Sequence, residues 1–283
     1  MEHTFHTPGP IRLTVELLAG DVTVRATETD TTSVRLTPRG RGGEELAERF
    51  TIEQRGDEVV VLAPKRDSIF SFGKGSVDVE VTLPQRSILD ARTGSGDIDV
   101  TGIMDRARAG TGSGDVTLDE FAGGELKSGS GDISARVVRG DLALKTGSGD
   151  VKVDTSSARI ELVSGSGDVT VRRAEGPLKA KTGSGDLVVV ASSADLDLMT
   201  GTGDVKLLAV HAGEVRAKTG TGDVVVAIAR GVATYLDLNT VTGDVDVDLD
   251  EAAGPDGAES TASLHVQSGS GDIHVKRAQV SLS

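Results

Sequence analysis

Ten aspartates at one position of a short repeated motif are the residues of this sequence with the clearest capacity for chemistry. Each follows a glycine in the hexapeptide [TS]-x-[ST]-G-D-[VIL]. The ten are Asp97, Asp115, Asp132, Asp150, Asp168, Asp186, Asp204, Asp223, Asp244 and Asp272. If the repeats stack, these carboxylates form a row with a spacing of about 4.8 Å, and neighbours repel by roughly 0.9 kcal/mol in water.

This spacing leaves two interpretations of the aspartate row. In the first, each carboxylate accepts hydrogen bonds from N–H groups of its turn, which offsets the repulsion and makes the residue a structural corner. In the second, the row binds cations as a ladder, and calcium is the expected ion because it prefers oxygen ligands. Known calcium-binding G-G-x-G-x-D-x-U-x repeats differ from this motif in both period and spacing.

The sequence lacks the common motifs of catalysis and cofactor binding. It has no cysteine, which excludes disulfides, thiolate metal sites and thiol nucleophiles. It also lacks a dinucleotide-binding glycine fingerprint and a phosphate-binding G-x-x-x-x-G-K-[ST] loop. With five Phe, one Tyr and no Trp, it offers no aromatic platform for a sugar, which disfavours a polysaccharide lyase or hydrolase. We therefore predict a protein that is not an enzyme and has no cofactor, apart from the calcium of the second interpretation.

The period of the motif predicts the fold. Its ten starts, from Thr93 to Ser268, lie 18, 17, 18, 18, 18, 18, 19, 21 and 28 residues apart. Around each copy apolar residues alternate with polar ones, as in Leu142 and Leu144 before one motif and Val151 after it. Such alternation is typical of strands with one buried face, and units this small must stack to bury a core. We predict an all-β, parallel β-solenoid (β-helix or β-roll) whose coils mostly have 18 residues.

Two glycines and two hydroxyl residues complete the motif. The first glycine is replaced once, by Val241; it either relieves crowding beside a bend or leaves a bare stripe for a partner's backbone. If the alternation continues, both hydroxyl positions, Thr146 and Ser148 in one copy, point inward as buried ladders; otherwise they form an array facing water. The second glycine never varies, as expected for a corner with positive φ. It occurs at Gly96, Gly114, Gly131, Gly149, Gly167, Gly185, Gly203, Gly222, Gly243 and Gly271.

The first third of the chain is less regular. We predict an entry coil and cap over residues 1–92, continuous with a repeat solenoid over 93–283. Within the cap, 11–17 and 19–24 resemble a degenerate coil, 44–50 predicts one short helix, and 51–54 with 58–62 predict a hairpin. A loop containing Ile69, Phe70 and Phe72 either packs against the cap or binds a partner.

The net charge and the hydropathy of the sequence restrict the kinds of partner and the cellular compartment that we expect for the protein. The net charge of −14 argues against nucleic acid, which requires clustered basic residues. No stretch approaches the roughly 18 to 20 apolar residues of a membrane helix, and the N-terminus lacks the pattern of a signal peptide. We therefore expect no membrane span and a cytoplasmic location. Residues 280–283 offer no capping helix, which leaves an end for end-to-end self-association.

The tandem repeats, together with the preceding V-x-V-x-L-P at 79–84, resemble the bacterial β-strand-repeat family called "putative adhesins", the LiaG-like domain of unknown function with SGSGD repeats. The resemblance covers most of the chain. It implies a β-helix, no assigned enzymatic activity and no catalytic residues. Members often carry a membrane anchor or an export signal; because neither is evident here, we expect an intracellular role rather than adhesion.

These observations lead to one preferred function and two alternatives. We predict a non-enzymatic β-helical scaffold or interaction protein, adhesin-like in architecture, that binds a protein partner on its long regular faces. The first alternative is a self-polymerising structural element similar to bactofilins, which an uncapped end would allow. The second is a calcium-stabilised repeat protein.

Overall fold

The computed structural model describes residues 1–64, 75–249 and 260–278, and the chain divides into two compact units, 1–139 and 140–283. Within the described residues each unit is built from strands, with one short helix in the first unit. The loop containing Ile69, Phe70 and Phe72 lies outside the described residues, as do residues 280–283. No helix of the described part of the chain is long and apolar enough to cross a membrane.

Unit 1 contains the irregular segments and the first repeats. In chain order its elements are β1 (Glu2–His6), β2 (Arg12–Glu16), β3 (Val22–Thr27), β4 (Thr31–Arg39), α1 (Gly43–Ala47), β5 (Thr51–Arg55), β6 (Glu58–Leu62), β7 (Ser76–Pro84), β8 (Ile88–Thr93), β9 (Ile98–Met104), β10 (Arg106–Thr111), β11 (Val116–Phe121), β12 (Gly124–Ser128) and β13 (Ile133–Val138). Two open sheets result, sheet A in the order β1-β4-β7-β3-β9-β11-β13 and sheet B in the order β5-β6-β2-β8-β10-β12.

The entry coil is confirmed and stacks directly on the first repeat. Strand β2 pairs in parallel with β8, and β3 pairs in parallel with β9. The hairpin is also confirmed, because β5 and β6 pair antiparallel around Gly56, whose φ is +64°. The helix is confirmed in place but is shorter than predicted, since α1 ends at Ala47. Glu44 and Glu45 lie in its first turn, where the helix dipole favours negative charge.

Unit 2 repeats one pattern. Its strands are β14 (Leu142–Thr146), β15 (Val151–Ser156), β16 (Ile160–Ser166), β17 (Val169–Ala174), β18 (Leu178–Ser184), β19 (Leu187–Ser192), β20 (Leu196–Thr202), β21 (Val205–Val210), β22 (Gly213–Thr221), β23 (Val224–Ile228), β24 (Val232–Thr242), β25 (Val245–Asp248), β26 (Ser260–Ser270) and β27 (Ile273–Arg277). Sheet C has the order β15-β17-β19-β21-β23-β27-β25, and sheet D has the order β14-β16-β18-β20-β22-β26-β24.

Each coil contributes one strand to each sheet, and equivalent residues of successive coils pair in parallel. Leu142 pairs with Ile160, and Ile160 pairs with Leu178, so the sequence repeat sets the register. The inward side chains are almost fully buried, as shown by Leu144 at 0% exposure and Val151 at 1%. Ladders of Val, Leu, Ile and Ala therefore fill a narrow interior without aromatic bulk. This is a solenoid-like repeat fold, as predicted.

The last two coils of unit 2 do not stack in sequence order. The coil formed by β26 and β27 lies between the coil of β22 and β23 and the coil of β24 and β25. The end of the stack in the described residues is therefore the coil of β24 and β25, which we call the end coil. The predicted end at residues 280–283 lies outside the described residues, but the coil that precedes them is interior, because β26 pairs in parallel with both β22 and β24.

Candidate functional site

The motif aspartates form a hydrogen-bonded ladder in each unit. In each pair below, the backbone N–H of one aspartate donates to Oδ1 of the aspartate in the neighbouring coil. Asp21 and Asp78, which lie outside the ten motif copies, belong to the unit 1 ladder. In unit 1 the donor–acceptor pairs are Asp21 to Asp78 (3.2 Å), Asp97 to Asp21 (3.0 Å), Asp115 to Asp97 (2.9 Å) and Asp132 to Asp115 (2.8 Å). In unit 2 they are Asp168 to Asp150 (2.8 Å), Asp186 to Asp168 (2.8 Å), Asp204 to Asp186 (2.8 Å), Asp223 to Asp204 (2.9 Å), Asp272 to Asp223 (2.8 Å) and Asp244 to Asp272 (2.9 Å).

These bonds differ from the predicted Asx-type turn, because they join one coil to the next instead of closing a turn within a coil. A hydrogen bond to a charged group contributes about 1.5 to 3 kcal/mol, and solvent exposure reduces that value. After that reduction each bond is comparable to the roughly 0.9 kcal/mol of repulsion between neighbouring carboxylates, so it offsets this repulsion. The bonds connect each coil of the row to the next. Sequence reasoning missed Asp78 as a member, because Val77-Asp78-Val79 lacks the preceding glycine.

Binding of calcium to this row stays a prediction. No group of three or more acidic or histidine side chains in the described residues is arranged to hold a metal ion. If the row binds calcium, differential scanning calorimetry should show the melting temperature rising with millimolar calcium and falling with a chelator, because a ligand that binds only the folded state stabilises it. A melting temperature that is the same in both conditions would remove the calcium ladder.

The pKa values of aspartates in and beside the row are shifted in different directions. The hydrogen bond from the Asp223 N–H lowers the pKa of Asp204, and Lys206 lowers it further against the opposing effect of burial. The Lys206 ammonium lies 3.1 Å from Asp204 Oδ2 and 3.4 Å from Asp186 Oδ2. In unit 1, partial burial and then the carboxylates of Asp97, Asp21 and Asp115 raise the pKa of Asp99, which nevertheless lies on the exposed outer face of sheet A.

Low pH should remove the contribution of Asp204 to the free energy of unfolding. Because its folded-state pKa is lowered below an unfolded value of about 3.9, its stabilisation is complete above that pH and is lost as the pH falls through the folded-state pKa. We expect Asp204→Asn to lower the free energy of unfolding by roughly 0.5 to 1 kcal/mol at pH 7. In urea denaturation the difference from wild type should shrink as the pH falls from 7 through the folded-state pKa of Asp204. Asp154→Asn, an exposed aspartate outside the row, is the control and should change little at either pH; a difference for Asp204→Asn that persists in acid would contradict this origin.

The second glycine of each motif lies against the backbone of the neighbouring coil. At Gly185 φ is +133°, and a Cβ would lie 2.2 Å from the carbonyl oxygen of Gly167. Positive φ is confirmed at Gly96, Gly167, Gly185, Gly203, Gly222, Gly243 and Gly271. At Gly114 and Gly131 φ lies outside the range from +20° to +160°, yet a Cβ would lie 2.0 Å from a carbonyl oxygen of the neighbouring coil. Close approach of two backbones therefore explains the invariant glycine more generally than φ does.

The first glycine relieves crowding, as one of the two interpretations predicted. A Cβ on Gly112 would lie 2.3 Å from the carbonyl oxygen of Gly94, and one on Gly183 would lie 2.6 Å from that of Gly165. Val241, which replaces this glycine in the end coil, is 83% exposed.

Only the first hydroxyl of each motif points inward. Thr200 and Thr219 are 2% and 1% exposed, and their hydroxyls donate to the carbonyl oxygens of Gly185 (3.0 Å) and Gly203 (2.9 Å) in the preceding coil. The second hydroxyl, at Ser148 and its equivalents, is exposed, so the prediction of two buried ladders is wrong for that position. The alternation of buried and exposed residues ends at the first motif glycine, although strands such as β16 continue to the second hydroxyl at Ser166.

The hydroxyl ladder allows a matched pair of substitutions. Ser128 donates to the Gly114 carbonyl at 2.9 Å and accepts from the Gly131 N–H at 2.8 Å, whereas the buried Ser164 hydroxyl has no partner among the described residues. We expect Ser128→Ala to lower the free energy of unfolding by about 1 to 2 kcal/mol and Ser164→Ala to leave it unchanged or raise it. Urea denaturation measures both, and equal losses would contradict this role for the hydroxyl.

The outer face of sheet D carries a row of alternating cationic and apolar side chains. Lys145 pairs with Val163, Val163 with Lys181, Lys181 with Met199, and Met199 with Lys218. All five point outward; Val163 is 48% exposed and Met199 is 38% exposed. We call these five residues the sheet D stripe. It contains no acidic residue, although the chain has a net charge of −14. Sequence reasoning missed Val163 and Met199, because apolar residues were expected only at inward strand positions.

Taken together, the parallel coils, the inter-coil aspartate ladder and the inward hydroxyls define a solenoid-like β-repeat protein. The chain belongs to the Toastrack DUF4097 family, whose model matches residues 11–195 and 139–282. No curated protein matches the sequence.

Solved structures with a similar chain course include a "putative adhesin" from Bacteroides fragilis, at 13% identity and a TM-score of 0.40, covering 97% of this chain and 96% of that one. A second "putative adhesin", from Parabacteroides distasonis, has 12% identity and a TM-score of 0.34 with the same coverage of each chain. A "putative lipid binding protein" from the same organism has 11% identity and a TM-score of 0.37, again covering 97% and 96%.

Proposed function

We propose that this chain is a non-enzymatic, adhesin-like interaction protein that binds a protein partner along the outer face of sheet D. The sheet D stripe carries this proposal. A solvent-facing strand position is expected to be polar, yet Val163 and Met199 occupy it and remain exposed. Apolar side chains that are rimmed by charge on a flat surface are typical of protein interaction sites.

The stripe also indicates the chemistry of the partner. Its lysines lie on alternate strands, so they are separated by about 9.6 Å, twice the strand spacing of about 4.8 Å. An extended segment with acidic residues at that separation and apolar residues between them would match both features. The acidic remainder of the surface would disfavour approach of such a segment elsewhere, because like charges repel.

Site-specific photo-crosslinking in the native host tests this function. A benzophenone amino acid at position 163 or 199 should capture the same protein, whereas the same group at position 208 should not. Leu208 is a suitable control because it is 47% exposed but points out of sheet C. Lys181→Glu should reduce capture at position 199 by at least about tenfold, since it replaces an attraction with a repulsion. Equal capture from position 208, or capture unaffected by Lys181→Glu, would refute the proposal.

A further inference from the structure

In the part of the chain that the structure describes, each strand of the unit 2 end coil has one unpaired side. Strand β24 pairs with β26, and β25 pairs with β27. Among the described residues neither strand has a second neighbour, and both end their sheets. Unpaired edge strands present a row of N–H and C=O groups to any chain that can complete the ladder.

The hydrophobic core is open at this end. Val245 and Val247 are 45% and 44% exposed, whereas their partners in the neighbouring coil, Ile273 and Val275, are both 0% exposed. Leu236 of β24 is half-buried, although its partner is fully buried. Among the described residues the end coil therefore has apolar cover from one neighbouring coil only, whereas an interior coil has it from two.

The charge of the end coil restricts what can cover it. Residues 232–248 contain four aspartates, Asp237, Asp244, Asp246 and Asp248, and no lysine or arginine. On its paired side β25 meets basic residues, because Asp246 lies opposite His274, at 2.8 Å between Oδ2 and Nδ1, and Asp248 lies opposite Lys276. A second copy docking edge to edge would place acidic strands against each other, and like charges on facing strands are destabilising.

The aspartate ladder ends here without its next donor. Asp244 donates its N–H to Asp272 Oδ1 at 2.9 Å, and the corresponding position on its own carboxylate accepts no N–H from the described residues. Each earlier member of the unit 2 ladder, such as Asp272 or Asp223, accepts a backbone N–H there. The end coil therefore offers the acceptor to which the N–H of an added strand would donate.

In the unit 1 aspartate ladder, the last strand is covered by a further strand. Its terminal aspartate, Asp78 of β7, is covered by β4, which pairs antiparallel with β7. Strand β4 places Val34 and Leu36 in the core, both at or below 2% exposure. Its Arg39 Nε lies 2.6 Å from Asp78 Oδ2, an ion pair that raises the pKa of Arg39. A strand with inward apolar residues and outward Arg35 and Arg39 thus covers the end of this ladder, and β1 pairs with its other side.

We propose that the unpaired side of β25 binds an extended segment of a partner protein in which Arg or Lys alternates with Val, Ile or Leu. The segment adds as an antiparallel strand, as β4 does on β7. Its apolar residues cover Val245 and Val247, and its basic residues pair with Asp246 and Asp248. This site is separate from the sheet D stripe, so either site can fail while the other stands.

Titration of the full chain with synthetic peptides tests the inference. The peptide TVRVRVT should bind, TVEVEVT should bind at least about tenfold more weakly because its charges oppose those of β25, and TSRSRST should also lose binding because it lacks the apolar residues. The single tyrosine of the chain, Tyr235, lies on β24 and is 66% exposed. With no tryptophan present, tyrosine fluorescence reports on the end coil, and NMR shifts of residues 245–248 locate the peptide.

Charge reversal provides the specificity control. The double variant Asp246→Lys with Asp248→Lys should prefer TVEVEVT over TVRVRVT, whereas Asp154→Lys, on the outer face of β15 away from the end coil, should keep the wild-type preference. Three results would overturn the proposal: no binding of TVRVRVT to the wild-type chain, equal binding of the basic and acidic peptides, or a dimer in sedimentation velocity that the double variant abolishes. The first would mean that this side of β25 is not available, and the last would identify a second copy as the occupant.

Discussion

Replacing Gly96 by alanine is expected to destabilise unit 1 by roughly 3 to 5 kcal/mol. The residue has a φ of +139°, and a Cβ would lie 2.1 Å from the Gly20 carbonyl oxygen and 2.5 Å from its carbon. Both atoms belong to a paired backbone, so relief requires one coil to move away from the next. That movement would also lengthen the bond from the Asp97 N–H to Asp21 Oδ1. Urea denaturation followed by far-UV circular dichroism measures the loss.

Gly110→Ala is the matched control in the same unit. Nothing lies within 4 Å of a Cβ at this position, and its φ lies outside the range from +20° to +160° that strains other residues. Alanine should therefore change the free energy of unfolding by less than about 1 kcal/mol, in the stabilising direction, because it reduces the entropy of the unfolded chain. If both substitutions had the same effect, close approach between coils would not be the reason for the motif glycine.

The second large effect concerns the core next to the end coil. Leu264 is 0% exposed, and Leu264→Ala should lower the free energy of unfolding by about 2 to 5 kcal/mol, since it removes buried methyl groups and leaves a cavity. Leu236 pairs directly with Leu264 on the neighbouring strand but is only half-buried. Leu236→Ala should therefore lower the free energy of unfolding by about half as much or less.

The comparison of these two leucines measures how open the end of the core is. Both substitutions remove the same atoms from adjacent, registered positions, so the unfolding midpoint in urea reports mainly the difference in cover. Equal losses from Leu236→Ala and Leu264→Ala would show that the end coil is covered in solution. Addition of TVRVRVT should increase the cost of Leu236→Ala, because the peptide buries the end of the core.

Much of the repeat architecture follows from local patterns. The alternation at Leu142 and Leu144, or at Val151 and Val153, requires one buried face, and the turn between them requires glycine. A period near 18 residues allows parallel stacking with equivalent residues in register. Parts of the irregular region can also be predicted from the sequence, because the hairpin of β5 and β6 and the helix α1 depend on short-range turn and helix signals.

Other features depend on contacts between residues that are distant in sequence. The second hydroxyl of the motif was expected to be buried, but the alternation of buried and exposed residues ends at the first motif glycine and Ser148 is exposed. The carboxylate of Asp168 bonds to the N–H of Asp186 in the next coil, a bond that no single repeat contains. Asp78 joins the ladder although its surroundings do not match the motif, because β7 pairs with β3 and brings Asp78 beside Asp21.

The sequence by itself determined the strands, their inward faces, the corner glycines and the stacking of coils, since each of these depends on residues within one repeat or on the spacing between repeats. Only the tertiary structure decided which coil ends unit 2. Coils with the same motif are nearly interchangeable as neighbours, so the position of β26 between β22 and β24, and of β27 between β23 and β25, depends on long-range pairing. That choice leaves the acidic end coil, with Val245 and Val247 half exposed, as the open end of the stack in the described residues.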